Sequence, residues 1–301
     1  MKSKGKNFSF FVLGTILGIL FFLNILSWIV VRDLNKPQFL EVNFFNVGQG
    51  DAIFIESPKR HQILIDGGPG STILEKLANK IPFWDRTIDL IILTHHEKDH
   101  FAGLIEVLKR YKVENILWTG IIRDTPEYRE WTELIKKEGA KIKIAKAGQK
   151  IKLSTLSSGR ELFSSYFDIL YPFDELTNQE FKDSNDTSIV IKLVFKDIDF
   201  LFTGDISTKV EEKLISAKLP LQSEILKVPH HGSKYSTADY FLENVLPEIA
   251  IIQVGKNSYG HPTKEVLERL EKFGIKTLRT DQDGDIKIIS DGENLKIKNQ
   301  R

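Results

Sequence analysis

The chain has 301 residues, with 42 Lys and Arg against 41 Asp and Glu, seven His and no Cys. This length suffices for a large domain with a buried core, and the absence of cysteine excludes disulfides, thiolate nucleophiles, iron–sulfur clusters and zinc sites that need a thiolate. A net charge of +1 argues against a wholly basic nucleic-acid coat protein. The charge is uneven, because the first 37 residues hold five bases and one acid, which leaves 37 bases and 40 acids beyond them.

An apolar segment near the N-terminus is the first predicted element. Residues 8–31 are 24 consecutive positions without a charged side chain, and a helix of that length extends about 36 Å, more than the ~30 Å hydrocarbon core of a bilayer. We therefore expect a transmembrane anchor at 8–31, between a basic cytoplasmic tip at 1–7 and a short tether at 32–37. A cleavable signal peptide is the alternative, because lysines precede the apolar run.

The basic residues around this segment predict its orientation. Three lysines precede it, whereas Arg32, Asp33 and Lys36 follow it, and the more basic flank of a membrane helix usually stays in the cytoplasm. We expect a single-pass protein of the cell membrane with its N-terminus inside and residues 38–301 outside. Those residues contain no repeat or linker-like tract, which favours one continuous domain.

Within this domain, strands first form hairpins and then alternate with helices. In chain order, apolar runs and helical spacing predict strands at 40–47, 52–56 and 61–65, a helix at 71–80, a strand at 88–93, a helix at 104–111, a strand at 114–118 and a helix at 127–138. Short strands and a Ser-rich loop at 154–159 follow, then strands at 188–195 and 198–202. Helices at 207–217, 237–244 and 263–273 alternate with strands at 224–228 and 249–254, before a β-rich C-terminus. This order favours an α/β (α+β) fold in which two sheets pack face to face with helices outside.

Six of the seven histidines lie in groups that follow predicted strands. The group after the strand at 88–93 offers four metal-binding side chains: His95, Glu97, Asp99 and His100. Imidazole nitrogens and carboxylate oxygens suit Zn²⁺ or Mn²⁺. Four such donors within six residues are more than one ion readily takes from a loop, so we expect two neighbouring divalent metal ions. His96 and Lys98 in the same loop are expected to face water.

Three further strands end in residues that can carry chemistry. Asp205 follows the strand at 198–202 and is either a helix N-cap or a carboxylate that bridges two cations. His230 and His231 follow the strand at 224–228, and His261 follows the strand at 249–254. Repetition of the pattern at several strand ends favours a metal site over unrelated polar turns.

Seven segments, in order over residues 40–290, contain these residues. They read FFNVGQGDAIFIES (44–57), ILIDGG (63–68), IILTHHEKDHFAG (91–103), NDTSIVIKL (185–193), FLFTGD (200–205), LKVPHHGS (226–233) and NSYGHP (257–262). Together they resemble the metallo-β-lactamase superfamily and, within it, the hydrolase domain of competence proteins of the ComEC type. The resemblance implies a four-layer αββα sandwich with a binuclear metal site along one edge.

The resemblance also implies a ligand set. His95 and Glu97 would hold one ion, and Asp205 would bridge it to a second ion, whose other ligands would be Asp99, His100 and His231. One histidine of the superfamily pattern is missing, because the corresponding segment contains Asn185 and Ser188 instead. This departure weakens the first metal site.

Further residues would support or complete this set. Asp66 matches a position that orients the histidine loop, and Asp51 is either a similar supporting carboxylate or the hydrogen-bonding acid of its turn. His230 and His261 would either bind metal or act as general acid beside the leaving group. With Asp99, they are the candidates for direct participation in the reaction.

The activity that the resemblance implies is hydrolysis of a phosphodiester, with DNA as substrate, by metal-hydroxide attack. Residues 38–301 have a net charge of −3, however, whereas nucleases usually bind phosphates with clustered bases. Two alternatives stay open: a hydrolase of a cell-surface polymer or a small phosphodiester, as in phosphorylcholine esterases, and a non-catalytic metal-binding surface module. A basic groove would favour the nuclease, and a closed pocket lined by aromatic side chains would favour the choline ester, with Trp118, Trp131, Tyr235 and Tyr259 as candidates.

The predicted partners follow from these interpretations. They are nucleic acid or another phosphodiester, the membrane through residues 8–31, and a DNA-uptake machinery. The sequence gives no sign of an obligate protein partner.

Overall fold

The structure is a computed structural model, which describes residues 4–34, 39–58, 60–153, 165–181 and 183–300. The chain divides into two compact units, residues 1–38 and 39–301. The first unit contains one helix, α1 (Lys4–Leu34), which includes the whole predicted anchor.

This N-terminal helix differs from the sequence-based prediction. Among the residues that the structure describes, none of the helices combines the length and apolarity that crossing a membrane requires. The transmembrane anchor predicted at 8–31 is therefore not supported, although the segment is helical. The helix also continues to Leu34, into the predicted tether at 32–37, and residues 35–38 lie outside the described part of the chain.

Two mixed sheets form the second unit. The strands of the first sheet are β1 (Leu40–Phe44), β2 (Ile53–Glu56), β3 (Gln62–Ile65), β4 (Thr87–Ile92), β5 (Lys112–Trp118), β6 (Lys141–Ile144), β14 (Asp285–Ser290) and β15 (Leu295–Gln300). They lie in the order β15-β14-β1-β2-β3-β4-β5-β6. The strands from β3 to β6 run parallel to one another, and the other neighbours pair antiparallel.

The second sheet has the same mixed character. Its strands are β7 (Lys150–Lys152), β8 (Ser165–Tyr171), β9 (Val190–Phe195), β10 (Ile198–Phe202), β11 (Ile225–Lys227), β12 (Ile249–Ile252) and β13 (Lys276–Arg279). They lie in the order β13-β12-β11-β10-β9-β8-β7. The strands from β10 to β13 run parallel, so their carboxyl ends meet at one edge of the sheet.

Helices cover the outer faces of both sheets. The helices are α2 (Thr72–Ala78), α3 (Lys98–Leu108), α4 (Pro126–Glu138), α5 (Thr208–Ser216), α6 (Asp239–Val245), α7 (Lys264–Lys272) and the short α8 (Thr280–Asp283). One apolar core lies between the sheets, where the rings of Phe44 and Phe202 are 6.2 Å apart. A second core joins the first sheet to α2, α3 and α4, and a third joins the second sheet to α5, α6 and α7. The predicted α/β sandwich with four αββα layers is confirmed.

Most predicted elements differ from the structure only at their ends, and the largest difference concerns the histidine loop. The helix predicted to begin at residue 104 begins at Lys98, so Asp99 and His100 lie in its first turn. The prediction began too late because the polar residues at 98–100 hide the start of the helix, although Phe101 already packs in the apolar core. The Ser-rich loop predicted at 154–159 lies outside the described residues.

Candidate metal centre

The candidate site lies where strands of both sheets end. Asp66 follows β3, His95 follows β4, Asp205 follows β10 and His231 follows β11. The turn after β1 closes against this region: a Cβ at Gly50 would lie 2.0 Å from the backbone oxygen of Asp99. Glycine is therefore required there, with a φ of +135°.

Three buried imidazoles are oriented by hydrogen bonds at Nδ1. His100 donates from Nδ1 to Asp66 over 2.8 Å, and His231 donates to the backbone oxygen of Gln253 over 2.8 Å. The Nδ1 atom of His95 lies 3.0 Å from the hydroxyl of Thr94. That hydroxyl donates to Oδ2 of Asp66 over 2.6 Å, so it accepts from His95. In its neutral form each of the three rings therefore carries its hydrogen on Nδ1 and leaves Nε2 available to bind metal.

Two of these rings direct Nε2 at Asp205, and the third lies beside them. Oδ2 of Asp205 lies 3.3 Å from Nε2 of His100 and 3.2 Å from Nε2 of His231. His95, His100 and Asp205 can also place one donor atom each within 4.8 Å of one another. Within the described part of the chain, the three buried Nε2 atoms make no hydrogen bond. Unpaired buried nitrogens beside a carboxylate fit a divalent cation, since buried polar atoms otherwise find partners.

Asp99 completes one side of this group. Its Oδ2 lies 3.3 Å from Nε2 of His231. The pKa of Asp99 is held far below its usual range: burial opposes the charged form, but the neighbouring His231 and His100 outweigh it. A permanently ionised carboxylate at this point suits cation binding.

Charge within the site shifts the histidines in opposite directions. Burial lowers the pKa of His100, but Asp205 and Asp51 outweigh burial and raise it well above its ordinary value. For His95, burial dominates, and with His100 it lowers the pKa well below the ordinary value. Since the bound cation takes the place of a proton on a ligand imidazole, metal binding and protonation compete here.

Asp51 lies on the opposite side of the imidazoles and is paired with a lysine. Its carboxylate forms a buried ion pair with Lys227 and lies 3.7 Å from Nδ1 of His100 and 3.4 Å from Nδ1 of His231. Burial raises the pKa of Asp51, but Lys227 and His100 outweigh it, so the net shift is downward. Asp51 is thus a supporting carboxylate and not only the acid of a turn.

Glu97 is separated from the donor group, unlike Asp99, the other acidic residue of the histidine loop. It forms an ion pair with Arg123 and accepts a hydrogen bond of 2.6 Å from the hydroxyl of Ser184. The guanidinium also donates to Ser184 over 3.2 Å and to the backbone oxygen of Phe181 over 2.9 Å. In this arrangement Glu97 is paired with Arg123 and Ser184 and is not grouped with the histidines, and the ligand role predicted for it stays a prediction.

The two residues at the place of the missing histidine have different surroundings. Ser188 is buried, and its hydroxyl accepts a hydrogen bond of 3.0 Å from the backbone nitrogen of Asp205. A Cβ at Gly204 would lie 2.7 Å from Cβ of Ser188, so the two segments are in close contact. Asn185 lines the cavity described below. Ser188 therefore fixes the backbone of Asp205, and neither residue replaces the imidazole.

An open cavity of about 340 Å³ leads from solvent to the donor group. It is lined by Gln49, Glu97, Asp99, Asp183, Asn185, Asp205, His230, His231, Tyr259 and His261. The lining is acidic, and it includes no lysine or arginine among the described residues. Its charge is therefore suited to cations and, without them, repels phosphates.

His230 and His261 stand at the mouth of this cavity. Their ring centroids are 5.4 Å apart, and the ring of Tyr259 stacks on His261 at 5.8 Å. Burial lowers the pKa of His230, and burial together with His230 lowers the pKa of His261 to about 4. His230 and His231 both have the left-handed backbone conformation, with φ values of +50° and +54°. Strained backbone of this kind persists where surrounding contacts hold it, often at functional sites.

The prediction that His96 faces water is wrong. It is only 6% exposed, and its ring contacts Phe101, Trp118 and Tyr128 at centroid distances of 5.2 to 5.6 Å. Its neighbour His95 turns into the metal centre, so His96 turns to the opposite side and packs under α4. Burial, followed by Arg123, lowers its pKa to about 3.

Sequence reasoning missed three residues that organise the site. Lys227, Arg123 and Thr94 bind the carboxylates or imidazoles that were predicted, yet none of them is a usual metal ligand. A signal was present for Lys227, because it interrupts an apolar run in a parallel strand, and a buried charge needs a partner. Arg123 and Thr94 carry no comparable signal.

Comparison with known proteins agrees with this geometry. Residues 45–256 match the model of the metallo-β-lactamase superfamily, and the chain belongs to this superfamily, whose members are typically metal-dependent hydrolases. The solved structure of Igni18, a metallo hydrolase from the archaeon Ignicoccus hospitalis KIN4/I, has the same fold. It matches with a TM-score of 0.52 and 17% identity over 83% of this chain and 98% of that chain.

The curated relatives include competence and recombination proteins. ComE operon protein 3 of Bacillus subtilis (strain 168) is 31% identical over 264 residues, which are 82% of this chain and 32% of that protein. Competence protein ComA of Neisseria gonorrhoeae is 31% identical over 249 residues, 81% of this chain and 31% of that protein. Recombination protein 2 of Haemophilus influenzae is 28% identical over 282 residues, 91% of this chain and 32% of that protein. The chain thus spans about a third of the length of these relatives.

Proposed function

We propose that this chain is a metal-dependent phosphodiesterase that cleaves DNA at a site for two divalent ions. The observation that supports it most is the convergence of Nε2 of His100 and Nε2 of His231 on Oδ2 of Asp205, with His95 beside them and an open cavity leading to the group. A divalent ion bound there would lower the pKa of a coordinated water towards ~7 and stabilise negative charge on phosphoryl oxygens.

The donors fit two unequal sites. One ion would be held by Asp99, His100 and His231 with Asp205, and these four side chains are already in contact. The other would be held by His95 with Asp205, and it lacks a third strong donor while Glu97 is paired with Arg123. Nitrogen and oxygen ligands of this kind suit Zn²⁺ or Mn²⁺. We therefore propose one tightly bound ion and one weakly bound ion.

The residues at the cavity mouth would orient the substrate. Because burial keeps the pKa of His261 at about 4, its ring is neutral near neutral pH and carries one N–H. A neutral ring donates a hydrogen bond to a phosphoryl or leaving oxygen but rarely carries a second proton to release. For His261, and for His230 beside it, we therefore favour steering of the leaving oxygen over the general-acid role predicted from the sequence.

Two observations bear on the substrate. Of the four aromatic candidates, Tyr259 alone is among the described residues that line the cavity: Trp118 and Trp131 are buried in the core between the first sheet and its helices, and Tyr235 is not part of the lining. This speaks against a choline ester. The basic groove that would favour a nuclease is also absent from the described lining, so the metal ions must neutralise the phosphate. The names of the relatives, which concern competence and recombination, favour DNA over a small phosphodiester.

The cellular location of the protein and its partners stay predictions. An extracytoplasmic position for residues 38–301 and association with a DNA-uptake machinery rest on the lysine distribution and on the relatives' names. Fractionation of cells that express the full chain, followed by protease treatment of intact cells, tests the position directly.

The activity is tested on the full chain with Mn²⁺ or Zn²⁺, using single-stranded DNA and bis-(p-nitrophenyl) phosphate. We expect hydrolysis that chelation abolishes and added metal restores. Asp99→Asn should lower the rate by more than about 100-fold, since loss of even an outer partner of a metal ligand costs 10–100-fold. Asp183→Asn is the matched control, because Asp183 lines the same cavity but accepts a hydrogen bond from its own loop at Asn185. Equal inactivity of wild type and Asp99→Asn with metal bound would refute the hydrolase proposal.

A further inference from the structure

A buried lysine contacts two of the carboxylates beside the candidate metal ligands. Lys227 is the last residue of β11 and is 1% exposed. Its ammonium pairs with Asp51 and contacts Oδ1 of Asp205 at 3.3 Å and the backbone oxygen of Gly204 at 3.0 Å. A buried ammonium is costly unless it is paired on several sides, and this one is.

The imidazoles have two sides, and Lys227 occupies one of them. On the Nδ1 side, Asp51, His100 and His231 place donor atoms within 4.8 Å of one another, which is close enough to hold a cation. However, Nδ1 of His100 is bonded to Asp66 and Nδ1 of His231 to the oxygen of Gln253. Those nitrogens carry hydrogens, so the Nδ1 side cannot take a metal ion. The cation beside Asp51 is the ammonium of Lys227.

The two carboxylate oxygens of Asp205 also face different partners. Oδ1 faces Lys227, whereas Oδ2 faces the Nε2 atoms of His100 and His231. The backbone nitrogen of Asp205 donates to Ser188, which fixes the main chain from which this carboxylate projects. One oxygen is thus committed to the lysine and the other is left for metal.

We propose that Lys227 is a resident cation that selects which carboxylate oxygens reach the metal ions. It retains Oδ1 of Asp205 and the carboxylate of Asp51, so that Asp205 binds metal through Oδ2 alone and Asp51 stays outside the coordination sphere. Lys227 is therefore a positioning residue. This inference rests on the metal-binding part of the function proposed above and not on the nature of the substrate.

The chain contains a matched control for this lysine. Lys192 in β9 of the same sheet is 7% exposed and pairs with Asp199 at 2.7 Å. It also donates to the backbone oxygens of Pro220 and Gln222. Lys192→Met removes a buried ammonium of the same kind, but away from the imidazoles. Any general effect of losing a buried charge should therefore occur in both variants.

The test uses the full chain loaded with Co²⁺, whose visible absorption reports the number of ligands. In Lys227→Met, Asp205 should bind Co²⁺ through both oxygens, or Asp51 should join the ligands. Either change raises the coordination number, so we expect the absorptivity per Co²⁺ to fall several-fold. Lys192→Met should keep the wild-type spectrum. The proposal is overturned if Lys227→Met also keeps it, or if both variants change it equally. No substrate is present, so an inactive enzyme with this spectral response would still support the inference.

A second variant decides the matter if Lys227→Met does not fold. Asp51→Asn keeps the shape of the side chain and an oxygen that accepts from Lys227. If Asp51 lies outside the coordination sphere, this variant should bind as many metal ions as wild type, with the same Co²⁺ spectrum. Loss of an equivalent of metal, measured by elemental analysis after gel filtration, would show that Asp51 is a ligand and would overturn the proposal.

Discussion

Oδ2 of Asp66 lies 2.8 Å from Nδ1 of His100, and both side chains are fully buried. The same carboxylate accepts from the backbone nitrogen and the hydroxyl of Thr94, at 2.8 and 2.6 Å. Through Thr94 it also holds His95. One carboxylate at the end of β3 thus sets the orientation of two metal-facing imidazoles that lie at the end of β4 and in the first turn of α3.

We predict that Asp66→Asn weakens metal binding 10–100-fold, which is the usual effect of losing the outer partner of a ligating histidine. The amide nitrogen of the new side chain would face the donors on His100 and Thr94. His100, and His95 through Thr94, would then lose the contacts that fix their tautomers. Calorimetric titration of the metal-free protein with Mn²⁺ measures the change. Asp89→Asn is the control. Asp89 in β4 likewise lies near a histidine, 3.7 Å from Nδ1 of His61, but it is outside the site. An unchanged dissociation constant in Asp66→Asn would contradict the prediction.

The pair of Glu97 and Arg123 supports a second prediction. Arg123 and Ser184 hold Glu97 away from His95, and charge-assisted hydrogen bonds are worth about 1.5–3 kcal/mol. Arg123→Met should free Glu97 to bind the ion beside His95 and strengthen the weaker metal site by about tenfold, or ~1.4 kcal/mol.

Competition with a chelator of known affinity measures both sites in this variant. The stronger site should not change, because its ligands do not touch Arg123. Arg129→Met, which breaks an exposed ion pair with Asp124, is the control. If the second ion binds no more tightly in Arg123→Met, Glu97 is not a latent ligand.

The presence of the strands that carry the site was the most predictable feature of this molecule. β10 has the predicted bounds, 198–202, and the site residues Asp205 and His231 follow β10 and β11 as expected. Apolar runs between polar turns mark such strands, since they are buried on both faces. The αββα layering followed from the resemblance, and its cores follow from the same runs.

Contacts between distant segments were not predictable from the sequence. The solvent-facing position expected for His96 is wrong, because Trp118 and Tyr128 cover it from segments more than 20 residues away. Likewise, only the folded chain brings Arg123 to Glu97 and Lys227 to Asp51. The periodicity of apolar residues indicates which face of a helix or strand is buried. It does not indicate which polar side chain from a distant segment will contact that helix or strand.

Tyr259 provides a test of the nucleic-acid interpretation. It is 74% exposed, lines the cavity and stacks on His261, so its outer face is free to stack on a base. Stacking of this kind is worth about 1–3 kcal/mol per base. Tyr259→Ala should therefore raise KM for single-stranded DNA at least about fivefold and leave KM for bis-(p-nitrophenyl) phosphate unchanged.

Tyr235→Ala is the comparison for this variant. Tyr235 is 66% exposed but is not part of the cavity lining, so its loss should change neither substrate. An oligonucleotide with abasic sites should reduce the difference between wild type and Tyr259→Ala. If Tyr259→Ala affects both substrates alike, the tyrosine shapes the cavity and does not stack on a base.

Glu211 in α5 predicts a pH dependence of stability that is independent of the metal centre. Its side chain is fully buried and accepts hydrogen bonds from the backbone nitrogens of Thr237 and Ala238. Burial raises its pKa from 4.5 to about 7, although those two hydrogen bonds oppose the shift. Between these values the unfolded chain loses the proton and the folded chain keeps it, so the folded state binds more protons and rising pH destabilises it.

A rise of the pKa from 4.5 to about 7 corresponds to about 3 kcal/mol of unfolding free energy. The protein loses this stabilisation as the pH rises from about 4.5 to about 7, and the contribution of Glu211 is constant outside that range. Glu211→Gln cannot ionise, so the difference in stability between wild type and this variant should change by that amount over the range. Urea denaturation at about pH 5 and about pH 8 measures it. Glu212→Gln, at the neighbouring exposed position, controls for loss of a surface carboxylate. Parallel stability curves for wild type and Glu211→Gln would mean that Glu211 is ionised in the folded protein throughout, held by Arg269, which lowers its pKa.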